Sequence, residues 1–333
     1  MRMLDLFSGI GGFHKGFEQA GYEFEWVGFS EIDKYASAVY RHRFPEAVEL
    51  GDITAIQPGD LPKIDLITFG SPCQDFSIAG KRAGAKEGTR SSLVWQAIRL
   101  ITECKPRFFV WENVKGTFSS NSGADFWAII QAFTNIGGYR LEWQLINTRW
   151  FLPQNRERIY LVGYIGDRSG SKVFPIGETD VRNSKLEKQR ESDGQHCKTL
   201  TARGAGEYHA GMQLVDVIDE GLKQIGTIGK DSEATRVYDT SGIARTIKNG
   251  GGMGAKTGLY QTNSSIRRLT PVECCRLQGF PDDWNEFGEF DGEVVRMSDT
   301  QRYKQCGNAV TVNVVQAVAE RIASPKVQSN EKG

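Results

Sequence analysis

Over its first 165 residues the chain alternates short β-prone runs with helix-length stretches, and this alternation limits the possible folds more than any other feature. The strand-like runs are Met3–Phe7, Trp26–Glu31, Ile64–Phe69, Phe108–Glu112 and Ile159–Ile165. Lys34–Phe44, Ser92–Cys104 and Asp125–Ile136 read as helices between them. A short, near-continuous apolar run suits a strand buried on both faces. Such strands separated by helices build βαβ units around a mostly parallel sheet. The expectation is an α/β, doubly wound, Rossmann-like fold with helices on both faces.

The pattern breaks near Gly166. From there to about Ser265 the chain is rich in Gly, Thr, Ser and charge, with short strand-like pieces and little helical period. This stretch reads as a small, loop-rich β domain. Order returns after it. Thr270 suits a helix N-cap, Pro271 the first turn, and Glu273 completes the start of a helix that ends at Gly279. Val310 to Ile322 has the apolar period of a helix packed on a sheet. The predicted domains are therefore 1–165, an insertion at 166–265, and a return to the first domain at 266–324. Residues 325–333 read as a disordered tail.

Bulk properties exclude some classes. No apolar run approaches the ~20 residues of a membrane span, and no secretory leader is read ahead of the first strand. Six cysteines (73, 104, 197, 274, 275 and 306) have neither CxxC nor zinc-type spacing, so the expectation is reduced thiols, a cytoplasmic setting and no metal. Lys and Arg total 41 and balance 41 Asp and Glu. Local charge is uneven: Arg245, Lys248, Lys256, Arg267 and Arg268 share the stretch 242–268 with no acid, and Lys81, Arg82, Lys86 and Arg90 face only Glu87 in 80–90. Two basic, glycine-rich runs suit a phosphate-backbone partner.

Phe7-Ser8-Gly9-Ile10-Gly11-Gly12 follows the first strand and opens a helix. Glycines there allow a ligand close to the backbone, and the helix start favours polar or anionic groups. Glu31 ends the second strand, where a carboxylate can accept from both ribose hydroxyls. Asp52 is either an acceptor for an adenine amine or a plain loop acid. The glycine spacing departs from G-x-G-x-x-G, and with Phe7 ahead of the turn it suits adenosine with an amino-acid tail better than a dinucleotide.

Cys73 follows Pro72 at the end of the run Ile64–Phe69. Ligand sites in open α/β sheets lie beyond the carboxyl ends of such strands. The proline stiffens the backbone that aims the thiol, and a thiolate is the strongest side-chain nucleophile near neutral pH. A buried structural cysteine is the plain alternative. Read together, Asp5-Leu-Phe-Ser-Gly-Ile-Gly-Gly, Pro72-Cys73-Gln74, Glu112-Asn113-Val114, Gln154-Asn155-Arg156-Glu157-Arg158, Arg268-Leu-Thr-Pro-Val-Glu-Cys-Cys-Arg-Leu-Gln-Gly-Phe-Pro-Asp and Gly307-Asn308-Ala309-Val310 resemble, in that order, the motifs of the cytosine-C5 DNA methyltransferases of stand-alone prokaryotic or phage type.

The resemblance implies a Rossmann-like S-adenosylmethionine-dependent fold in which the insertion is a target-recognition domain. Phe7, Gly9, Gly11, Gly12, Glu31, Ile32, Asp52, Ile53, Pro72, Asn308 and Val310 would line the cofactor site. Many relatives carry an aromatic where Ile32 stands, so its contact with adenine would be apolar packing alone. Cys73 would add to C6 of a cytosine flipped out of duplex DNA. Glu112 would protonate N3, Arg158 would bind O2, and Arg156 would support the site or the DNA backbone. Gln74, Ser77, Arg82 and Arg90 would meet DNA from a glycine-rich loop that closes over the base. Arg203, Arg236, Thr246, Gly251 and Lys256 would do so from the recognition domain. A tRNA cytosine-C5 methyltransferase of the same superfamily is the alternative; the long insertion favours duplex DNA. A monomer in a bacterial or phage-infected cell is implied, with room for a cognate restriction endonuclease acting separately.

Overall fold

In the computed structural model, residues 1–71, 93–166, 172–177, 221–250, 257–262 and 265–323 are described. Strand β1 (Arg2–Leu6) leads through the glycine turn into helix α1 (Gly12–Gln19), strand β2 (Trp26–Ser30), helix α2 (Lys34–Arg43) and the short strand β3 (Val48–Glu49). Next come β4 (Leu66–Gly70), α3 (Leu93–Cys104), β5 (Phe108–Val114), α4 (Ala124–Asn135), β6 (Tyr139–Asn147), β7 (Gln154–Asn155) and β8 (Glu157–Ile165). Seven of these strands form one sheet in the order β3-β2-β1-β4-β5-β8-β6. Strands β3, β2, β1, β4 and β5 are parallel, whereas β8 runs antiparallel to both β5 and β6.

The strict alternation of side chains along each strand explains why both faces carry helices. Met3, Leu66, Phe108, Val110, Tyr160 and Val162 enter one apolar layer with Phe13 and Phe17 of α1. Leu4, Ile67, Phe109, Trp111, Ile159 and Leu161 enter the other, against α3 and α4. At roughly 1.5–3 kcal/mol for each large apolar side chain buried, these two layers are the main source of the domain's cohesion. Strand order turns around at β1, which lies between β2 and β4, so the crevice beyond its carboxyl end is the natural ligand site of such a sheet.

A second, four-stranded sheet has the order β13-β12-β10-β9, from β9 (Gln224–Thr227), β10 (Arg236–Asp239), β12 (Leu259–Gln261) and β13 (Ile266–Arg268). Its own core is small: Tyr238, Ala244 and Tyr260. Strand β11 (Ala244–Arg245) leaves it to pair in parallel with β7 of the larger domain. The chain then returns through α5 (Pro271–Leu277), the hairpin β14 (Phe287–Phe290) and β15 (Glu293–Arg296), α6 (Asp299–Asn308) and α7 (Val312–Ala323). Helix α5 starts with the capping box its sequence predicts: Glu273 N–H donates to Thr270 Oγ1 at 3.2 Å, and Thr270 N–H to Glu273 Oε2 at 2.7 Å. Helix α7 lies so close to α1 that a Cβ on Gly16 would stand 2.5 Å from Val315 Cγ1.

Three elements were not anticipated: edge strand β6, hairpin β14–β15 and helix α6. Among the described residues no helix is long and apolar enough to cross a membrane.

Candidate active site

The turn after β1 bends sharply: Phe7, Gly9 and Gly11 have φ of +51°, +55° and +83°. The three glycines of this turn, Gly9, Gly11 and Gly12, serve two different purposes. Nothing lies within 4 Å of a Cβ built on Gly9, so open space stands before that backbone. A Cβ on Gly11 would meet Phe44 Cε2 at 2.5 Å, and one on Gly12 would meet Val310 Cγ2 at 2.6 Å. At Gly11 and Gly12 protein packing fills the space a side chain would take, so glycine is required there by packing. Gly9 N–H donates to Glu31 Oε2, and the N–H groups of Ile32 and Asp33 to Oε1, each at 2.9 Å. Burial pushes the Glu31 carboxyl upward in pKa, and those backbone donors offset part of the rise. Ile32 beside it is 78% exposed, an unusual setting for a large aliphatic side chain and a ready platform for a flat apolar group. Asp52 caps a short 3₁₀ turn, accepting from Thr54 N–H and Thr54 Oγ1 at 2.9 Å through one oxygen. Ile53 buries its side chain in the core.

Across the sheet, Glu112 on β5 stands beside Gly70 on β4. A Cβ on Gly70 would lie 3.2 Å from Glu112 Oε2, so the glycine leaves room for the carboxyl group. Arg158 Nε on β8 meets Glu112 Oε1 at 3.0 Å, with side-chain exposures of 17% and 11%. Desolvation raises the Glu112 pKa, and the Arg158 and Arg156 charges pull against it. Just past Gly70, buried Ser71 is gripped by β5: Trp111 Nε1–H donates to Ser71 Oγ at 3.0 Å, and Asn113 Nδ2 to the same hydroxyl at 3.0 Å and to the Ser71 carbonyl at 3.2 Å. Pro72, Cys73, Gln74, Ser77, Arg82 and Arg90 lie outside the described residues.

Of the two roles expected for Arg156, the geometry supports the structural one. It is 2% exposed; Nη1 donates to the Ile247 carbonyl at 3.1 Å, and Nη2 to the carbonyls of Gly307 and Ala309 at 3.2 and 2.9 Å. A guanidinium so placed ties the inserted segment to the closing motif and does not reach a DNA backbone. Gln154 and Gln278, both fully buried, extend this joint. Gln154 Nε2 donates to the Leu277 carbonyl and Gln278 Nε2 to that of Cys306, each at 2.6 Å. Gly307 packs so tightly there that a Cβ would fall 2.4 Å from Asn249 N. Asn308, at the exposed rim, accepts from Asn249 Nδ2 at 2.7 Å, and Val310 packs over Gly12. The sequence reading quoted Gln154 and Gln278 inside motifs but gave them no role. Two amides amid apolar helix and strand positions were the available signal, since a buried amide needs partners.

Two acids from outside the basic run at 242–268 pair with three of its five cations. Arg245 and Lys248 share Glu233, and Arg267 forks onto Glu273 at 2.9 Å. Arg268 lies over the Tyr303 ring, 4.9 Å from its centroid. Arg236 pairs with Asp231 at 2.9 Å on an exposed surface. The Thr246 hydroxyl donates to the Asn155 carbonyl, a second tie between the domains. Arg203, Gly251 and Lys256 lie outside the described residues. Among the described residues no cluster of His, Cys, Asp and Glu has the makings of a metal site.

The family model of the C-5 cytosine-specific DNA methylases matches residues 1–324. The chain belongs to that family. The methylase is 34% identical over 335 residues to the type II methyltransferase M.HhaI of Haemophilus parahaemolyticus, covering 97% of this chain and 94% of that protein. It is 32% identical over 329 residues to the type II methyltransferase M.Bsp6I of a Bacillus species, covering 97% and 98%. Among solved structures, a mutant DNMT2 of Spodoptera frugiperda superposes with a TM-score of 0.65 over 97% of this chain and 99% of that one; at 18% identity the likeness is one of fold. The enzyme is a DNA cytosine-C5 methyltransferase, the family evidence favouring DNA over the tRNA alternative, and its methyl donor is S-adenosylmethionine. The open backbone at Gly9, the Glu31 carboxylate and exposed Ile32, together at the switch point of the sheet, fit a nucleoside with an amino-acid tail.

Proposed function

We propose that this methylase modifies one cytosine within a short duplex site by covalent catalysis. Cys73 is the nucleophile, Glu112 the acid and Arg158 the electrostatic partner of the base. The flipped cytosine offers C6 to the Cys73 thiolate. As the C6–S bond forms, electron density moves toward N3, where Glu112 donates its proton, and C5 becomes nucleophilic. S-adenosylmethionine, when bound, supplies the methyl group that C5 takes. Loss of the C5 proton to water, departure of the sulfur as thiolate and return of the N3 proton to the Glu112 carboxylate then restore the neutral aromatic ring and the enzyme. Arg158 holds O2, where its fixed charge offsets the negative charge that builds on the ring. Pairing with Arg158 keeps the Glu112 carboxyl oriented, while burial favours its protonated form.

The observation that carries this reading is the Glu112–Arg158 pair, 3.0 Å apart at the carboxyl end of the sheet, beside the strand that leads through Ser71 to Pro72-Cys73. We assign residues 166–265 as the target-recognition domain, inserted between catalytic portions 1–165 and 266–324. The four-stranded sheet with its own small core supports an inserted domain but shifts its edges: β13 (Ile266–Arg268) belongs to that sheet, and Val173, Phe174 and Ile176 pack in the core of the larger domain. Modification of a restriction site, protecting it from a separate endonuclease, is the role that suits the type II relatives.

The test is a duplex carrying 5-fluorocytosine at the target cytosine, incubated with enzyme and methyl donor. A stable adduct mapped to Cys73 is expected. An enzyme that methylates ordinary duplex yet forms no adduct, or whose Cys73→Ser variant keeps its turnover, would refute the assignment.

A further inference from the structure

We propose that Asn113 is a positioning residue for methyl transfer. Together with Trp111 it fixes the point at which the nucleophile segment leaves strand β4 relative to Glu112. The inference rests on the reading of Cys73 and Glu112 above.

The geometry separates the two ends of the Asn113 amide. Its oxygen is satisfied locally, accepting from Val114 N–H at 2.7 Å and from Thr117 Oγ1 at 3.0 Å. Its nitrogen faces the neighbouring strand, where both donors converge on Ser71, one on the carbonyl and one on the hydroxyl. The Trp111 indole adds a third donor from the same strand. Asn113 is 2% exposed, Trp111 fully buried and Ser71 6% exposed, so these bonds form where water does not compete. Ser71 directly precedes Pro72-Cys73 in the sequence, so the clamped carbonyl is two residues from the thiol-bearing position. The same strand, β5, carries Glu112 one residue before Asn113. The acid and the anchor of the nucleophile segment are thus set by a single stretch of backbone. A misplacement of about 1 Å in such a constellation costs on the order of a hundredfold in rate.

Asn113→Asp isolates the donor end. The side chain keeps its shape and the oxygen that serves Val114 and Thr117, while the two N–H donors facing Ser71 are lost. Thr117→Val does the opposite, removing a partner of the oxygen and leaving Ser71 held. Trp111→Phe removes one donor while keeping an aromatic ring in the core. Each variant is assayed for kcat, KM for duplex and for S-adenosylmethionine, rate of 5-fluorocytosine adduct formation, and thermal midpoint. Asn113→Asp is expected to lower kcat and adduct rate roughly ten- to a hundredfold with both KM values within about twofold. Trp111→Phe should lower them severalfold, and Thr117→Val should leave them near wild type. Wild-type adduct kinetics in Asn113→Asp would overturn this assignment while leaving the roles of Cys73 and Glu112 standing. A Thr117→Val loss as large as that of Asn113→Asp, at an equal drop in thermal midpoint, would also overturn it by reducing the amide to general packing. Absence of any wild-type adduct would instead remove the covalent reading itself.

Discussion

Arg156 and Arg158 are two residues apart, yet the structure separates their tasks sharply enough to test by opposite phenotypes. Arg156→Met keeps most of the aliphatic stem and deletes the donors. The carbonyls of Ile247, Gly307 and Ala309, held at 2.9–3.2 Å, then lose a charged partner in a place without water. An unsatisfied buried acceptor costs about 1–3 kcal/mol. Relaxation of the joint recovers part of the sum, so a net loss of roughly 3–5 kcal/mol is expected. For a chain of this size that lowers the thermal midpoint by on the order of 5–10 °C. Arg158→Met differs because the partner it leaves behind is a carboxyl group. Glu112 can take up a proton and become neutral in place, which removes most of the penalty. Stability should change little, while kcat falls on the order of a hundredfold, the usual cost of losing one charge-stabilising donor. Thermal unfolding of the two purified variants, followed by steady-state kinetics at a temperature where both are folded, checks both halves. An Arg156→Met enzyme with an unchanged midpoint and a lost kcat would refute the reasoning, because its arginine would then act on substrate and not on the joint.

Further outcomes follow from the same geometry. Glu112 holds its proton to higher pH than an ordinary carboxyl, so kcat should fall as pH rises past its titration. Arg158 pulls that titration down, so Arg158→Met should move the alkaline limb to higher pH; an unmoved limb in the pH–rate profile would show that another group is titrating. Asp5 is fully buried, accepts from Thr68 Oγ1 at 2.7 Å, and is pushed by desolvation up to about 8. The folded state therefore keeps a proton that the unfolded chain releases, and stability is lost as pH climbs from about 4 toward about 8. Asp5→Asn, neutral throughout, should flatten that slope and gain up to roughly 5 kcal/mol at its top, as read by denaturant unfolding at several pH values. Gly12→Ala would place a methyl 2.6 Å from Val310 Cγ2 and should cost about 1–3 kcal/mol. Adding Val310→Ala should recover much of that loss in the same unfolding assay.

The parts of the fold legible in the sequence are those in which one physical rule acts alone. Strands β1, β2, β4 and β5 are buried on both faces, so their apolar runs announce them within two residues at each end. Helix α5 carries its own start signal in Thr270-Pro271 and Glu273, and the capping box forms from those residues. Strand β6 was missed although Tyr139-Arg140-Leu141-Glu142-Trp143-Gln144-Leu145 alternates. It is an edge strand whose polar side chains have internal work. Glu142 accepts from the N–H groups of Val173 and Phe174 at 3.0 and 3.1 Å, and Gln144 pairs with the backbone of Ile176 at 2.8 and 2.9 Å. Those partners lie about 30 residues away, beyond the reach of a local pattern. Helix α6 has only moderate apolar content and owes its place to contacts such as Lys304 with Asp33 at 2.6 Å and Tyr303 with the Leu269 carbonyl at 2.7 Å.

The site divides along the same line. Glu112 was legible because it ends an apolar run and lies in a motif, whereas Arg158, just ahead of the expected strand 159–165, was legible from its motif alone. Arg156 was not, since the carbonyls that claim it come from residues 247, 307 and 309, and no spacing rule joins those segments. The basic run at 242–268 suited a nucleic-acid partner, but charge counted along a stretch omits Glu233 and Glu273, which fold back onto it and pair with Arg245, Lys248 and Arg267.

The joint also explains how recognition and chemistry share one frame. Strand β11, which follows β10 of the smaller sheet in the chain, pairs directly with β7, setting Ala244 against Gln154 and Arg245 against Asn155. Arg156 follows at once and is fixed to Ile247 on one side and to Gly307 and Ala309 on the other. Two residues later Arg158 meets Glu112. Arg156 sits at the break between β7 and β8, so Gln154 and Arg158 are separated by at most roughly 13 Å of chain. A shift of β11 therefore reaches Arg158 through only a few peptide units. Gly307 removes the remaining slack: a side chain there would collide with Lys248 and Asn249, so the closing motif that packs over the cofactor turn bears on the same inserted segment. Displacing the four-stranded sheet must therefore strain the stretch that carries Arg158 as well as the segment beside Gly307. The two sheets are held in register by buried carbonyls and amides.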